Sequence, residues 1–398
     1  MRLLTPLLAL ALAACVTAPM AEFAPQQQGA AYAWASFDAN RIRSSGAAGI
    51  ADRGTGRALT AEDPVRIASV SKLFVALGVM RLVEQGKLDL DSDVSRWLGW
   101  QLRNPAFPDR PITLRLLLSH TSSIKDEGDN YVIPLGKALQ PMATDAKSFD
   151  VQHAPGSYFR YSNLNFPIIG SVLERATGER FDRLMDRLVM KPLALNACFN
   201  WTTCSDARLA RAVVLYRPDG SVARDDLGGK QPDCPVFTDN PTCNLGGYVL
   251  GTNGALFSPQ GGVRASPIDL AVIGQLLLNR GRHRGQRFIS PASVETILRP
   301  LWVFNGSNGD TSEGFYCAYG LASQTLPTGT QGCRDDLFGN GRSVVGHAGE
   351  AYGVRSGLWI DRKRSVGIAY FAANDPAEPP PGRSAYMAVE EWLAARLN

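Results

Sequence analysis

Metal-ligand patterns are scarce in this sequence. Its four histidines, His120, His153, His283 and His347, are scattered singly, and no Cys-x-x-Cys occurs. Zinc sites need such residues in close pairs, so no metal site and no cofactor are expected. Charge of one sign is also lacking, at +4 over 398 residues, and no basic run carries interleaved aromatics. Nucleic acid is therefore set aside as a partner. What remains, 45% hydrophobic and 20% charged, has ordinary globular proportions and assures a sizeable core in one large domain or two.

The N-terminus has a positive start and a short apolar run, Leu3 to Ala14, ending in small residues before Cys15. It is too short to span a bilayer as a mature helix and predicts an export signal over residues 1–14. Leu12-Ala13-Ala14-Cys15 resembles the bacterial lipobox, which implies acylation of Cys15 and a tether over 15–29. An ordinary signal peptide cleaved near Thr17-Ala18-Pro19 is the alternative. The expected place is the periplasmic face of a bacterial membrane, held by a lipid anchor. Beyond Cys15 the cysteines fall into close pairs, Cys198 with Cys204, Cys234 with Cys243, and Cys317 with Cys333. Six cysteines allow 15 connectivities, and short loops cost least to close, so sequential disulfides are predicted.

The chain is organised around Ser69-Val70-Ser71-Lys72. Apolar positions 73, 76, 77, 80 and 83 follow at helical spacing, and Gly86 suits a left-handed cap. Ser69 then stands at the first turn of a buried helix with Lys72 one turn along on the same face. A lysine desolvated there can lose its proton and take the one on Ser69, making a nucleophile. Ser122-Ser123-Ile124-Lys125 repeats the spacing, but in an Asp- and Gly-rich stretch read as a surface loop. His120, after the short helix capped by Thr113, reads as a structural histidine.

Segments 31–36 and 41–51 predict an opening hairpin. Asn163 starts an amphipathic helix stopped by Gly178; Ser266-Pro267-Ile268-Asp269 and Ser290-Pro291 open two more. Residues 195–262, rich in Gly, Pro, Asp and Asn, predict a disulfide-stapled, lid-like insertion without a core of its own. Strands are expected at 319–323, 343–349, 354–360 and 366–371, and a terminal helix from Ala385 to Leu397. Strands at both ends with helices between imply that the termini meet in one sheet.

Taken together, Ser69-Val70-Ser71-Lys72, Tyr161-Ser162-Asn163 and His347-Ala348-Gly349 resemble the penicillin-recognising serine hydrolase superfamily, in the branch of class C β-lactamases, DD-carboxypeptidases and family VIII-type esterases. The resemblance covers nearly all of residues 30–397. It implies an α/β (α+β) β-lactamase-like fold: an antiparallel sheet built from both chain ends and flanked by helices, with a mostly helical, loop-rich second subdomain. It implies Ser69 as acylated nucleophile, Lys72 as base, and Tyr161 as a phenolate-like partner, its pKa lowered by Lys72 and a protonated His347. Asn163, His347, Gly349 and Glu350 would bind substrate, with the Ser69 and Glu350 N–H groups as oxyanion hole. The family's β-lactamases carry Lys-Thr-Gly where this chain has His347-Ala348-Gly349, so a half-charged histidine is expected to favour neutral acyl groups. The implied activity is hydrolysis of a carboxylic ester or D-amino-acid amide by a monomer. The alternatives are a DD-carboxypeptidase, a weak β-lactamase, or a penicillin-binding-like sensor without turnover.

Overall fold

The computed structural model describes residues 30–374 and 380–397. The leader, Cys15 and the tether fall outside the described residues. An eight-stranded antiparallel sheet carries the fold. Its strands are β1 (Ala31–Asp38), β2 (Ile42–Ala48), β3 (Trp302–Val303), β4 (Ala318–Tyr319), β5 (Gln324–Leu326), β6 (Val344–Ala351), β7 (Val354–Asp361) and β8 (Val366–Ala373). Their order, β3-β4-β5-β6-β7-β8-β1-β2, seats the first strand beside the last, with Ala31 opposite Ala373 and Asp38 opposite Val366. The two chain ends thus close one sheet, as the sequence implied.

Strand alternation divides the sheet between two cores. Leu358, Ile360, Ala369 and Phe371 face the main core; Trp359, Ile368 and Tyr370 face a smaller one with Val389 and Leu393. Four helices, in chain order, position the rest: α1 (Ser71–Glu84), α2 (Asn165–Thr177), α3 (Pro267–Leu278) and α4 (Ala388–Ala394). α4 covers the smaller core. α3 lies on β1 and β8 so closely that a Cβ on Gly274 would come within 2.2 Å of the Phe37 ring. The expected punctuation is present. Gly86 and Gly178 end α1 and α2 with φ of +67° each, and Ser266 and Asp269 form a reciprocal capping box on α3.

Three expectations need correction. Residues 319–323 are not one strand: the Gly320 N–H bonds the Ser323 carbonyl at 2.8 Å, and this turn separates β4 from β5. It is packed against the Ile297 and Arg299 carbonyls, 2.7 and 2.8 Å from where a Gly320 Cβ would stand. Ser122 is not on a surface loop. It is 1% exposed and donates to Asn165 Oδ1 at 2.8 Å, while Asn104 bonds the Ser123 hydroxyl and the Asp150 carbonyl. Polar residues can be buried when each finds a partner, and these do. The 195–262 segment does not lack a core: Cys198, Trp201, Leu209 and Ala212 form a small cluster, and Cys198–Phe199 pairs with Val263–Ala265.

The cysteines pair sequentially, Cys198–Cys204, Cys234–Cys243 and Cys317–Cys333, with Cα separations of 5.3, 5.4 and 6.0 Å. Three disulfides point to an exported protein. Among the described residues no helix is long and apolar enough to cross a membrane. Closing such short loops is worth roughly 2–3 kcal/mol each in the chain-entropy model. Cys234 lies on the wall of the cleft that Ser69 also lines, so mild reduction should raise KM and protease sensitivity before the core unfolds. Peptide mapping without reductant checks the pairing; free thiols at these positions would contradict it.

Candidate active site

Ser69 sits in a single 3-10 turn, Ala68–Val70, between the strand Val65–Arg66 and α1. Ala68 has φ +45°, a left-handed backbone that non-glycine residues seldom adopt, so the chain bends sharply just before Ser69. The bend is anchored on both sides. The Ile67 N–H bonds the Val263 carbonyl at 3.1 Å, and the Ser356 hydroxyl donates to the Ile67 carbonyl at 2.8 Å. β6 passes so near that a Cβ on Gly349 would lie 2.5 Å from the Ile67 carbonyl and 2.9 Å from the Ser69 nitrogen. Only glycine fits there, which accounts for Gly349 as a packing requirement of the turn.

Lys72 is fully buried and its Nζ has three neighbours: Ser69 Oγ at 3.0 Å, Asn163 Oδ1 at 3.0 Å and the Gln260 carbonyl at 2.8 Å. Burial lowers its pKa to about 7 against the opposing pull of Asp126. Neutral lysine has two protons and one lone pair. The Gln260 carbonyl and Asn163 Oδ1 can only accept, so they take the protons and the lone pair is left for the Ser69 hydroxyl.

Asp126 fixes which way Asn163 points. It accepts from the Ser162 hydroxyl at 2.8 Å, the Asn163 and Leu164 backbone N–H groups at 2.9 and 3.0 Å, and Asn163 Nδ2 at 3.1 Å. With one Nδ2 proton on Asp126, Oδ1 is turned to Lys72 and the second Nδ2 proton is free. Asn163 also lines the cleft.

Tyr161 is held flat between His120, ring centroids 4.3 Å apart, and Tyr316 at 4.6 Å. Its buried hydroxyl neighbours Ser69 and Tyr316 but completes no hydrogen bond. The expected phenolate is corrected here: burial pushes the Tyr161 pKa well above the ordinary range, outweighing the hydroxyls nearby. His347 needs the same correction. It is 1% exposed, and burial, with repulsion from Lys72 second, lowers its pKa to about 3. Its Nδ1 faces the Ala348 carbonyl and must donate, so Nε2 accepts from the Tyr319 hydroxyl at 2.7 Å. His347 is therefore neutral, and its side chain is not among those lining the cleft.

The cleft above Ser69 measures about 940 Å³. Trp201, Leu227, Val236, Phe237 and Leu256 of the 195–262 segment give it an apolar wall, and Glu350 lies at its edge. Among the described residues no cluster of His, Cys, Asp and Glu is placed to hold a metal ion.

A family model described as Beta-lactamase matches residues 12–391. The chain belongs to the beta-lactamase family. It is 37% identical over 170 residues to Esterase EstB of Burkholderia gladioli, covering 38% of this chain and 42% of that protein. It is 30% identical over 138 residues to the D-alanyl-D-alanine-carboxypeptidase/endopeptidase AmpH of Escherichia coli, covering 33% and 35%. These matches span less than half the length of either relative. The solved D-amino acid amidase from Ochrobactrum anthropi SV3 shares the fold, with TM-score 0.62 and 21% identity over 92% of this chain and 93% of that one. Members of this beta-lactamase family are serine hydrolases.

Sequence reasoning brought Ser69, Lys72, Tyr161 and Asn163 to this site but missed three of its supports. Asp126 lies in a loop with no motif. Tyr316 and Tyr319 sit near a strand end, where nothing in the local pattern shows that they meet Tyr161 and His347. His120, read as structural, turns out to be the stacking partner of Tyr161. It has φ +56°, and its Nδ1 accepts from the Ser162 N–H at 3.0 Å, leaving the proton on Nε2.

Proposed function

We propose that this family member is a hydrolase of carboxylic esters or D-amino-acid amides that works through an acyl-enzyme on Ser69. One observation carries the reading: both protons of a neutral Lys72 are committed to acceptors, which aims its lone pair at Ser69. Lys72 removes the Ser69 proton as Oγ bonds to the substrate carbonyl carbon. The backbone N–H groups of Ser69 and Glu350 would stabilise the oxyanion, and the free Nδ2 proton of Asn163 would hold the substrate's adjoining carbonyl. As the scissile bond breaks, the proton passes from Lys72, by way of the Tyr161 hydroxyl, to the leaving oxygen or nitrogen. Water then attacks the acyl carbon, giving a proton to Lys72; as the bond between the acyl carbon and Oγ breaks, Lys72 passes that proton to Ser69 Oγ and the acid departs.

Two features of β6 support esters over β-lactams. His347 is neutral and enclosed, and Ala348 has no hydroxyl, so this strand edge offers nothing to a carboxylate beside the scissile bond. The 195–262 segment, supplying the cleft's apolar wall, fits the role of a lid. The short apolar leader and Cys15 support a lipid-anchored protein of the periplasmic face, working as a monomer on small ester or peptide-like substrates and not on nucleic acid.

The parent should hydrolyse p-nitrophenyl butyrate faster than nitrocefin. The double variant His347→Lys, Ala348→Thr should shift that preference toward nitrocefin by about 1–3 kcal/mol in relative transition-state binding. Steady-state kcat/KM on both compounds, with a D-Ala-D-Ala peptide as third substrate, makes the test. Faster turnover of nitrocefin by the parent would overturn the ester reading.

A further inference from the structure

Three arginines, Arg66, Arg224 and Arg264, and the ring of Tyr352 meet in the wall of the cleft. Arg264 is spoken for, because it bonds the buried Asp225 at 2.8 Å. The other two have no carboxylate at ion-pair distance among the described residues. Arg66 donates to the Gly261 carbonyl at 3.2 Å, and its buried Nε has no partner. Arg224 donates to the Tyr352 hydroxyl at 3.3 Å from an exposed position. Both guanidinium carbons lie over the Tyr352 ring, at 5.3 and 5.0 Å from its centroid.

The other acids at the cleft do not neutralise them. Glu350 is held by two bonds from Arg355, at 2.9 and 3.0 Å, and Asp129 is exposed on the rim. Positive charge is therefore in excess. Burial first, and repulsion from Arg264 second, bring the Arg66 pKa down to about 9. At Tyr352 burial works the other way, yet the arginines win and its pKa falls. Tyr352 itself stands at the β6–β7 hairpin tip with φ +54°, a backbone held in place although a tyrosine disfavours it.

We propose that Arg66 and Arg224, gathered about Tyr352, form an anion subsite that takes a carboxylate carried by the substrate away from the scissile bond. This rests on the Ser69 acyl-enzyme reading. Tyr352 is three residues beyond Gly349, which at strand rise is roughly 10 Å from the serine's neighbour. A carboxylate next to the reacting carbonyl falls short of it; one at the end of a six- to eight-atom chain reaches. Two guanidinium forks suit a carboxylate because each offers paired N–H donors in its plane. The charge that His347 does not supply at the strand edge is thus supplied by Arg66 and Arg224, which gather over Tyr352 at the tip of the same hairpin.

The test compares matched esters, anionic against neutral. Mono-p-nitrophenyl suberate against p-nitrophenyl octanoate puts the charge on the acyl side. The butyrate ester of 4-hydroxyphenylacetate against that of 4-ethylphenol puts it on the leaving side. In at least one pair, the anionic-to-neutral ratio of kcat/KM should fall tenfold or more in Arg224→Ala and further in Arg224→Glu. For the parent, 0.5 M NaCl should narrow the same ratio, because exposed charge is screened. Arg224 is exposed, so its variants should fold, and thermal melting checks this; Arg66→Lys, keeping the buried charge, is the second variant and should lower the ratio less. A smaller change in both pairs, with Ser69 still labelled by a fluorophosphonate, overturns the subsite alone. Absence of labelling together with absence of turnover overturns the acyl-enzyme reading and the subsite with it.

Discussion

Replacing Ser69 by alanine should abolish fluorophosphonate labelling and lower kcat/KM on p-nitrophenyl butyrate on the order of 10⁴-fold or more. The size follows from the reaction. Without Oγ no acyl-enzyme forms, and what remains is whatever rate a held substrate gains from the oxyanion donors and from exclusion of water. The fold should tolerate the change, since Ser69 Oγ supports no structure beyond its bond with Lys72, and the turn is fixed by Ile67, Ser356 and Gly349. Ser122→Ala is the control. Its hydroxyl bonds Asn165 in a buried network, so the variant should lose about 1 kcal/mol of stability and keep its label. Labelling that survives in Ser69→Ala and vanishes in Ser122→Ala would transfer the nucleophile to the second Ser-x-x-Lys.

The two copies of that spacing show what a sequence does and does not carry. Ser69 and Lys72 were legible because helix geometry alone makes positions three apart neighbours, and the apolar repeat after them predicts α1. The sheet was legible for a similar reason: period-two runs at both ends of the chain leave few ways to bury them. Ser122 was misjudged because its neighbours are polar, and polarity was taken for exposure. Residues 122–124 are buried instead, the Ser122 and Ser123 hydroxyls finding partners in distant segments, Asn165 and Asn104. The charge states of Tyr161 and His347 failed on the same point. Proximity of cations was inferred from motifs, but the degree of burial was not: at Tyr161 burial outweighs the nearby hydroxyls, and at His347 it adds to the repulsion from Lys72. Asp126 was invisible altogether. It joins Asn163 across 37 residues of chain, and nothing at position 126 distinguishes it from the other acids of that loop.

A neutral Tyr161 and a neutral His347 leave Lys72 as the group that must titrate for acylation to proceed. Its pKa of about 7 predicts that kcat/KM rises tenfold per pH unit below 7 and levels off above it, as the amine is freed to accept the Ser69 proton. Lys72→Ala should cost about 10³–10⁴-fold and remove this limb, and Lys72→Arg should not restore activity, because a guanidinium does not give up its proton near neutral pH. Asp126→Asn deletes the one charge that raises the Lys72 pKa, so in that variant the limb should move to lower pH. Stability supplies an independent reading of the same group. Between pH 7 and 10.5 Lys72 is neutral in the folded chain but protonated in the unfolded one, so the unfolded state binds the extra proton and folding gains with rising pH. Relative to Lys72→Met, the parent should therefore gain about 1.4 kcal/mol per pH unit across that window, measured by urea unfolding at several pH values. If one amine causes both, the kinetic limb must level off at the pH where the stability slope begins. A limb that stays in place in Lys72→Ala, or a stability difference flat from pH 7 to 10, would mean that Lys72 is not the base.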